Sequence, residues 1–371
     1  MASQSDVDHQ VKKLDGVTVF KLILFSLLHH SKASLRIMEQ LYSSMQFRLI
    51  SKLENQTICY SSISDRIATI NSAFFEQIFL TVFDRFSRHF KEQDALLRYD
   101  STMISISSSL VDWGMKVGNI GNKAYSVSLK YTIGTKGSFP CHVKIFDSPK
   151  GLSEDVAIPS AIFENDISKT GVIVFDRGLR ARKAFQDLSQ SDRLFVTRVS
   201  TDVRYQAIKE RKLNKKNNSK SASVIIKEDL EVLLKDKKEK WTSLSFRLIK
   251  AVIKETKEPI FFLTNISDLP AEEIAFIYKQ RWEIEVFFKF LKQNLNLSHL
   301  VSRSANGIRV MIYMTLILSI LLIAYKKSNN LQSYKIAKLK FSLELESHVV
   351  KEIVLLMGGD PSRGPHLFSD T

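Results

Sequence analysis

The hydrophobic pattern of the chain changes its period near residue 95, and no other feature constrains the fold as strongly. Short runs rich in β-branched or aromatic residues follow at 95–100, 124–134, 141–147, 171–176 and 193–200. Turn residues join the second run to the third, whereas helical patterns stand on both sides of the fourth. Directly joined strands that give way to strand–helix alternation predict an α/β domain whose sheet mixes antiparallel and parallel strands.

Two further regions flank or interrupt this pattern. Residues 17–90 show helical periodicity, with Ser61 or Ser62 and Asn71 as the expected N-caps. Such a bundle of short helices fits either a helix-turn-helix-like DNA reader or a plain helical appendage. A basic, Asn-rich segment, which cannot pack a core, lies among further strand-like runs, so residues 200–265 are predicted to form an inserted β-rich subdomain.

Composition narrows the class of partner. The 371 residues include 54 Lys and Arg against 39 Asp and Glu, and the resulting formal charge of +15 suits a polyanionic partner. Cys59 and Cys141 show no zinc-like or disulfide spacing, as is typical of the reducing cytoplasm. The N-terminus lacks a signal-peptide layout. The apolar run at 310–325 is shorter than the roughly 20 residues of a membrane span, so we expect a buried helix, with a membrane helix as the alternative.

Two predicted strands end in aspartate where a turn begins, at Asp100 in YDST and Asp176 in FDRG. In open sheets, binding and catalytic sites form at the carboxyl ends of the strands. Gly178 is expected to permit a tight turn after Asp176. The alternative is that each aspartate is an ordinary turn residue. Glu285, on a predicted helix, would add a third carboxylate. Three clustered carboxylates repel one another unless a cation fills the site. Mg²⁺ prefers such oxygen ligands, and two ions can clamp a phosphoryl transfer on nucleic acid.

The helix predicted over residues 278–295 carries a narrow polar stripe. At about 100° per residue, five side chains share a stripe about 80° wide. They are Tyr278, Arg281, Glu285, Lys289 and Lys292. One explanation is a solvated face with i,i+4 ion pairs, each worth about 0.2–0.5 kcal/mol. The other is that the glutamate binds metal while its four companions contact DNA phosphates.

A family resemblance favours the second explanation. The stripe matches a Y-(2)-R-(3)-E-(6)-K signature and the extra lysine of its longer form through Tyr278, Arg281, Glu285, Lys292 and Lys289. It resembles the signature of the DDE transposases of bacterial insertion sequences, in particular the insertion sequence four family. Asp100 and Asp176 resemble the first and second catalytic aspartates of that family. The resemblance extends over about residues 60–325.

The resemblance implies a fold and a division into domains. The fold is an RNase H-like catalytic domain of the α/β class, interrupted by a β-rich insertion and preceded by an N-terminal helical domain. The implied parts are a helical DNA-binding domain (1–92), the DDE catalytic domain (93–330) with its insertion (200–265), and a basic C-terminal tail (331–371).

The resemblance also implies a reaction and its partners. The family performs cut-and-paste transposition, in which the 3′ end of an element is released and then attacks target DNA. By resemblance, Asp100, Asp176 and Glu285 would hold two Mg²⁺ or Mn²⁺ ions. The implied partner is double-stranded DNA, both the terminal repeats of the element and the target, bound by a dimer in a synaptic complex. A bacterial cytoplasmic, nucleoid-associated protein without a membrane partner is expected.

Two tryptophans and a pair of lysines are further candidates. Some family members free the element through a DNA hairpin, aided by an aromatic side chain of the insertion. Trp241 is the candidate for that role, and the alternative is a core residue of the inserted sheet. Trp282 could likewise pack or contact DNA. Lys215 and Lys216, in the basic segment, are expected to contact the DNA backbone.

Three other functions stay open at the level of sequence. They are a non-catalytic DNA-binding derivative of a transposase, an RNase H-like nuclease without strand transfer, and a basic membrane-associated protein that uses residues 310–325. The presence of all three carboxylates argues against a non-catalytic derivative. A membrane-associated protein would leave these carboxylates unexplained. An assay of strand transfer distinguishes a transposase from an RNase H-like nuclease.

Overall fold

The strands in the described part of the chain belong to one sheet. The computed structural model describes residues 7–8, 11, 13–29, 33–53, 56–92, 96–106, 115–117, 126–165, 171–213, 223–236, 239–295, 297, 301–356, 358 and 360. Within this part of the chain, ten strands are β1 (Leu97–Ile106), β2 (Met115–Val117), β3 (Ser126–Lys136), β4 (Phe139–Phe146), β5 (Val172–Phe175), β6 (Leu194–Val199), β7 (Tyr205–Glu210), β8 (Val224–Leu234), β9 (Phe246–Ile253) and β10 (Pro259–Thr264). The five runs that the hydrophobic pattern predicted correspond to β1, β3, β4, β5 and β6.

The helices lie before, between and after these strands. They are α1 (Gly16–His29), α2 (Leu35–Ser43), α3 (Met45–Ser51), α4 (Tyr60–Thr69), α5 (Ser72–His89), α6 (Glu154–Glu164), α7 (Arg182–Gln190), α8 (Ala271–Lys279), α9 (Trp282–Asn294), α10 (Ala305–Ser328) and α11 (Tyr334–Leu356). Asn71 caps α5 as predicted, because its side chain accepts a backbone amide two residues on, at 3.0 Å. The predicted cap of α4 at Ser61 or Ser62 is wrong. That helix already begins at Tyr60, with Cys59 in the cap position, so both serines lie in its first turn.

The sheet mixes antiparallel and parallel pairs, which confirms the predicted α/β class. Its order is β2-β3-β1-β5-β6-β10-β9-β8-β7, with β4 paired to β3. The strands β1, β3 and β4 are antiparallel neighbours, whereas β1, β5 and β6 run parallel. Parallel neighbours require a crossover, and α7 supplies it between β5 and β6. The strands β1 and β5 therefore run in the same direction, and β1 continues beyond the end of β5, from Asp100 to Ile106.

The strands of residues 200–265 extend this sheet. The strand β10 pairs antiparallel with β6, from Phe261 opposite Val199 onwards, and β9, β8 and β7 follow outwards. A buried ion pair joins Arg247 to Asp229 at 2.6 Å, and Arg247 also donates to the Leu269 carbonyl at 2.6 Å. This arginine fixes the added strands to the segment that leads into α8. The predicted β-rich region is thus continuous with the rest of the sheet.

One hydrophobic core joins the N-terminal helices, α10 and one face of the sheet. The rings of Phe79 on α5 and Tyr313 on α10 lie 5.9 Å apart. Asn306 donates to the Ile70 carbonyl at 2.6 Å and so ties the start of α10 to the end of α4. Among the described helices, α10 is long and apolar enough to cross a membrane, and 89% of its most apolar 18-residue window is buried inside the protein. The apolar run at 310–325 is accordingly the buried helix that the sequence predicted.

The C-terminal segment that we predicted as a basic tail contains α11. The ring of Tyr334 stacks on Phe290 of α9 at 4.2 Å. The ammonium group of Lys338 donates to the carbonyls of Leu27 and Asn294, both at 2.8 Å. Because this lysine reaches both α1 and the end of α9, α11 is docked on the body of the protein.

Candidate active site

Asp100 and Asp176 lie side by side on two parallel strands. Asp176 directly follows β5, as predicted, but the predicted strand end at Asp100 is wrong, because β1 continues to Ile106, paired with β3. The last registered pair between β1 and β5 is Tyr99 with Phe175, so each aspartate is the next residue along its chain. Successive strand residues point to opposite faces of a sheet. Both rings belong to the main core, and the carboxylates therefore point to the other face, towards α8 and α9. The fold brings the two predicted aspartates together.

Glu285 lies on α9 and lines the same surface cleft as Asp100. The cleft has a volume of about 410 Å³, and its lining residues are Asp100, Ser101, Thr102, Glu285, Phe288, Lys289, Lys292 and Gln293. Two of the predicted DNA-binding lysines, Lys289 and Lys292, thus stand on the wall that carries Glu285. Their predicted contact with phosphates stays a prediction.

The single helix predicted over residues 278–295 is wrong, because α8 ends at Lys279 and α9 begins at Trp282. The cause is a buried arginine on β1. Arg98 donates through Nε to the Gln280 carbonyl at 2.8 Å. In a continuous helix the Gln280 carbonyl would accept the amide of Ile284. That amide instead donates to the Arg281 carbonyl at 3.1 Å. The chain therefore tightens for one turn, and the polar stripe bends at that point.

Arg281 lies between two of the carboxylates. Its Nη2 donates to Glu285 Oε1 at 2.6 Å, and its Nε lies 3.9 Å from Asp176 Oδ1. The side chain is only 14% exposed, and its buried Nε makes no hydrogen bond. Among the described residues, no three His, Cys, Asp or Glu side chains are grouped closely enough to hold an ion. In this structure the guanidinium holds the space between Asp176 and Glu285 that a metal ion would need.

Tyr278 is largely buried instead of facing solvent. Its ring lies 5.4 Å from Phe262, and its hydroxyl donates to Asp176 Oδ1 at 3.1 Å. Burial and the neighbouring Asp176 carboxylate raise the pKa of Tyr278 to about 12, so the hydroxyl keeps its proton at neutral pH. The contact that the structure gives to Tyr278 is with a carboxylate. Its predicted contact with a phosphate stays a prediction.

The environment of Asp100 disfavours its charged form. Its pKa is raised to about 6, mainly by burial and further by the carboxylates of Asp176 and Glu154. The backbone amide of Ser101 donates to Asp100 Oδ1 at 2.8 Å and, like the Arg281 guanidinium, acts in the opposite direction. A half-buried carboxylate beside a second one is the environment that a divalent cation stabilises.

Gly178 occupies the turn after Asp176, as the sequence predicted. The turn does not use the positive φ that glycine allows, since only Gly137, Gly171 and Gly358 have it among the described glycines. The requirement is space: a Cβ on Gly178 would lie 2.9 Å from Cγ of Glu154. Sequence reasoning missed Glu154. The only signal for it is an acidic residue at the start of a predicted helix, which is a common pattern.

A second cleft, of about 440 Å³, opens beside Asp176 and was also missed. Six cationic side chains line it together with three aspartates, Asp155, Asp202 and Asp236, so positive charge is in excess. The cations are Arg177, Arg180, Arg182, Lys183, Arg204 and Lys235. Glu239 pairs with two of them and Asp187 with a third, whereas Arg177 and Arg180 are exposed. The sequence signal was present in the run RGLRARK, which places four cations directly after the second aspartate.

The two candidate tryptophans are exposed. Trp241 is 44% exposed and forms a single β-bridge with Lys235, whose Nζ lies 5.4 Å from the centre of the indole ring. The alternative of a core residue is therefore wrong for Trp241, and its contact with DNA stays a prediction. Trp282, next to Arg281 at the start of α9, is 63% exposed. Lys215 and Lys216 lie outside the described residues.

Comparison with known proteins identifies a family. Residues 93–321 match the model of the family described as Transposase DDE domain. A relative from Synechocystis sp., named as a transposase for insertion sequence element IS4SA, is 25% identical over 295 residues, which are 77% of this chain and 78% of that protein. A relative from Geobacillus stearothermophilus, named as a transposase for insertion sequence element IS5377, is 22% identical over 268 residues, or 71% and 66% of the two chains.

A solved structure is also similar, the cryo-EM structure of a piggyBac transposase synaptic complex with hairpin DNA. It has a TM-score of 0.45 and 13% sequence identity, and the alignment covers 95% of this chain and 74% of that one. The family match spans more than half of the chain, contains all three predicted carboxylates, and includes the strands and helices that bring them to one end of the sheet. The chain therefore belongs to the DDE transposases of insertion sequence elements, enzymes that cleave DNA and move such elements.

Proposed function

We propose that Asp100, Asp176 and Glu285 together bind two divalent ions, Mg²⁺ or Mn²⁺. We further propose that the enzyme releases the 3′ ends of its insertion sequence and joins them to target DNA. The observation that carries this proposal is the register of β1 and β5, which sets the two aspartates beside each other. Glu285 supports it from a third element, because it lines the cleft that contains Asp100.

The three residues fit such ions in their chemistry. Carboxylate oxygens are the ligands that Mg²⁺ prefers, and the raised pKa of Asp100 reports a site that favours an added positive charge. Arg281 holds Glu285 at 2.6 Å, so Glu285 has to exchange this partner for metal. The freed guanidinium would then turn to a DNA phosphate, a partner that suits its planar set of donors. This exchange would account for the signature arginine.

The chemistry that bound divalent ions supply is activation of the attacking oxygen and stabilisation of an in-line phosphoryl transfer. Around that site, the Tyr278 hydroxyl orients Asp176 through its hydrogen bond. Lys289 and Lys292, on the wall of the cleft, bind phosphates of the strand that is cut. Such contacts set the register of the DNA and do not read its sequence.

We assign the sheet to the RNase H-like fold. The antiparallel strands β4, β3 and β1, followed by parallel β5 and β6, support this assignment. The catalytic domain is residues 93–330, with β7–β10 as its insertion at 200–265. Residues 1–92 serve DNA binding, and 331–371 form the C-terminal part that contains α11.

The DNA partners are the terminal repeats of the element and the target, bound by a dimer in a synaptic complex at the bacterial nucleoid in the cytoplasm. The formal charge of +15 supports a polyanionic partner. The cationic second cleft beside Asp176 gives the DNA backbone a path away from the carboxylates. Trp241 is exposed beyond Lys235 on the rim of that cleft, which supports its contact with an unpaired base.

The test is cleavage of a supercoiled plasmid that carries the ends of the element, with Mg²⁺ or with EDTA. Wild type is compared with Asp100→Ala, Asp176→Ala and Glu285→Gln. Each substitution removes a proposed ligand, so we expect cleavage to fall by more than about 100-fold while binding to the end sequences persists. Glu273→Gln, which removes an exposed carboxylate from α8, is the matched control and should cut at the wild-type rate.

The products separate the alternatives. Joined target products in addition to cut ends support transposition, whereas cut ends without joining would indicate a nuclease that lacks strand transfer. Binding without cleavage by wild type would indicate a non-catalytic derivative. Cleavage by Glu285→Gln near the wild-type rate would overturn the assignment of the third ligand.

A further inference from the structure

The first turn of α6 contacts both segments that carry the aspartates. Ser101, which follows Asp100, donates through Oγ to Glu154 Oε2 at 2.8 Å. On the other side, Glu154 lies so close to Gly178 that a Cβ there would be 2.9 Å from its Cγ. The next residue of the helix, Asp155, accepts the backbone amide of Ala181 at 2.7 Å. One helical turn therefore bridges the chain after β1 and the chain after β5.

Glu154 is itself held by a buried cation. Lys130 on β3 is only 3% exposed, and its Nζ lies 2.8 Å from Glu154 Oε1 and donates to the Leu152 carbonyl at 2.7 Å. Ser101 shares a further hydrogen bond with Thr132 Oγ1 at 2.9 Å. A buried ammonium without a partner is costly, so the lysine and the glutamate fix each other. The carboxylate is thus in place independently of any ligand.

The link from Glu154 to a proposed metal ligand is short. The Ser101 hydroxyl is bound to Glu154, and the backbone amide of the same serine donates to Asp100 Oδ1 at 2.8 Å. A change at Glu154 would therefore alter the orientation of the Asp100 carboxylate. Through the close contact at Gly178, it would also alter the turn that follows Asp176.

We propose that Glu154 is a positioning residue of the active site, which holds Asp100 and Asp176 at the separation needed to share divalent ions. It does so through Ser101 on one side and through its contact with Gly178 on the other. This inference rests on the proposed function, because it concerns the same metal site. Glu154 does not touch substrate or metal in this role.

A matched pair of double variants tests the inference. Lys130→Met removes the buried charge in both. Combined with Glu154→Gln, it leaves a carbonyl oxygen that accepts the Ser101 hydroxyl, whereas combined with Glu154→Ala it leaves none. Titration calorimetry of the full chain with Mn²⁺ measures the metal affinity directly. Partners of metal ligands contribute about 10–100-fold to affinity, so we expect the alanine variant to bind at least about tenfold more weakly than the glutamine variant.

Two further variants separate positioning from folding. Ser101→Ala removes the hydroxyl between Glu154 and Asp100 and should also weaken Mn²⁺ binding, even if a double variant folds poorly. Glu164→Ala is the control, since Glu164 lies at the other end of α6, is half exposed and pairs with Lys144 at 2.8 Å. It should leave Mn²⁺ affinity unchanged. Thermal unfolding in EDTA shows whether each variant is folded.

The outcomes are distinguishable. If wild type binds no Mn²⁺, the proposed function fails and the inference falls with it. If wild type binds Mn²⁺ and the folded alanine and Ser101→Ala variants bind it equally well, only the positioning role is overturned. Weaker binding by both, with the glutamine variant and Glu164→Ala near wild type, supports it.

Discussion

At the scale of single residues, the candidate site depends on how each carboxylate is compensated. Glu285 is neutralised by Arg281, and Asp176 accepts the hydroxyl of Tyr278. Asp100 accepts only a neutral donor, the amide of Ser101, among its hydrogen bonds in the described part of the chain, and it is also the carboxylate whose pKa is raised. The cost of ionising the site in the absence of metal therefore concentrates on one residue.

This cost predicts that Asp100→Asn stabilises the metal-free protein at neutral pH. The pKa of Asp100 lies above its ordinary value, at about 6, so the folded state binds this proton more tightly than the unfolded state does. The contribution of Asp100 to stability is then complete below about pH 4 and is lost as the pH rises through 6. We expect Asp100→Asn to raise the free energy of unfolding by about 1–3 kcal/mol at pH 7.5, with a smaller gain at pH 5.

Urea unfolding in EDTA at the two pH values measures this difference. Asp187→Asn is the control, because Asp187 lies on α7 near the surface and pairs with Lys183, and it should change stability by about 0.5 kcal/mol or less. A variant Asp100→Asn that is no more stable than wild type at pH 7.5 would contradict the raised pKa.

At the scale of elements, the sequence indicated the candidate carboxylates, but it did not predict the break between α8 and α9. Strand-like runs indicated Asp100 and Asp176, which the fold brings together, and the spacing from Tyr278 to Lys292 indicated Glu285. Their role as metal ligands stays a prediction. The break between α8 and α9 could not be predicted, because its cause, Arg98, lies 182 residues from Gln280 in the chain. The same holds for Glu154, whose role depends on contacts between β1, β3 and α6. Local patterns reveal periodicity, whereas contacts between distant segments appear only in the fold.

We predict that the segment between β5 and α7 contributes to DNA binding. Arg177 and Arg180 are exposed and line the cationic cleft beside Asp176. Each phosphate contact contributes about 0.9 to the slope of log affinity against log salt concentration. We expect Arg177→Ala with Arg180→Ala to weaken binding to end DNA and to reduce this slope by about 2. Fluorescence anisotropy at several salt concentrations measures both quantities.

The control for this prediction is Lys335→Ala with Lys340→Ala, which removes the same number of charges. Both lysines are exposed on α11 and do not line the cleft. An unchanged salt slope in the double variant would exclude the cleft from the DNA interface. An equal reduction in the control would mean that the overall charge, not the position of the arginines, sets the slope.

At the scale of the whole molecule, the helices before β1 share a core with α10, the helix that follows α9. The sequence predicted a domain boundary after residue 92, because the hydrophobic period changes near residue 95. It could not show which segments cover α10, because Phe79 and Tyr313 come together from opposite ends of the chain. In this structure, α5 and α10 are packed directly together, and the main core continues from them into the sheet. The N-terminal helices should therefore unfold together with the active site.

Because the core is shared, we expect the protein to unfold in a single transition. Phe79→Ala should lower the urea midpoint of that transition equally for all probes. Phe79 is 1% exposed and contacts α10, so its truncation should cost about 3–5 kcal/mol. Far-UV circular dichroism follows all helices. The chain has three tryptophans, so the fluorescence is measured in a Trp113→Phe background, in which Trp241 and Trp282 follow the sheet extension and α9. Because both regions depend on one core, we expect the two urea midpoints to coincide and to fall together in the variant.

Leu80→Ala is the matched control for this prediction, since the neighbouring side chain is 44% exposed and should cost much less. If Phe79→Ala lowered the circular dichroism midpoint while the fluorescence midpoint stayed at the wild-type value, residues 1–92 would be an independently folding domain. Coincident midpoints would mean that the N-terminal helices are part of the same cooperative unit as the three carboxylates. Mutations far from the site would then reduce cleavage by lowering the folded fraction, so each activity measurement on a core variant has to be normalised by that fraction.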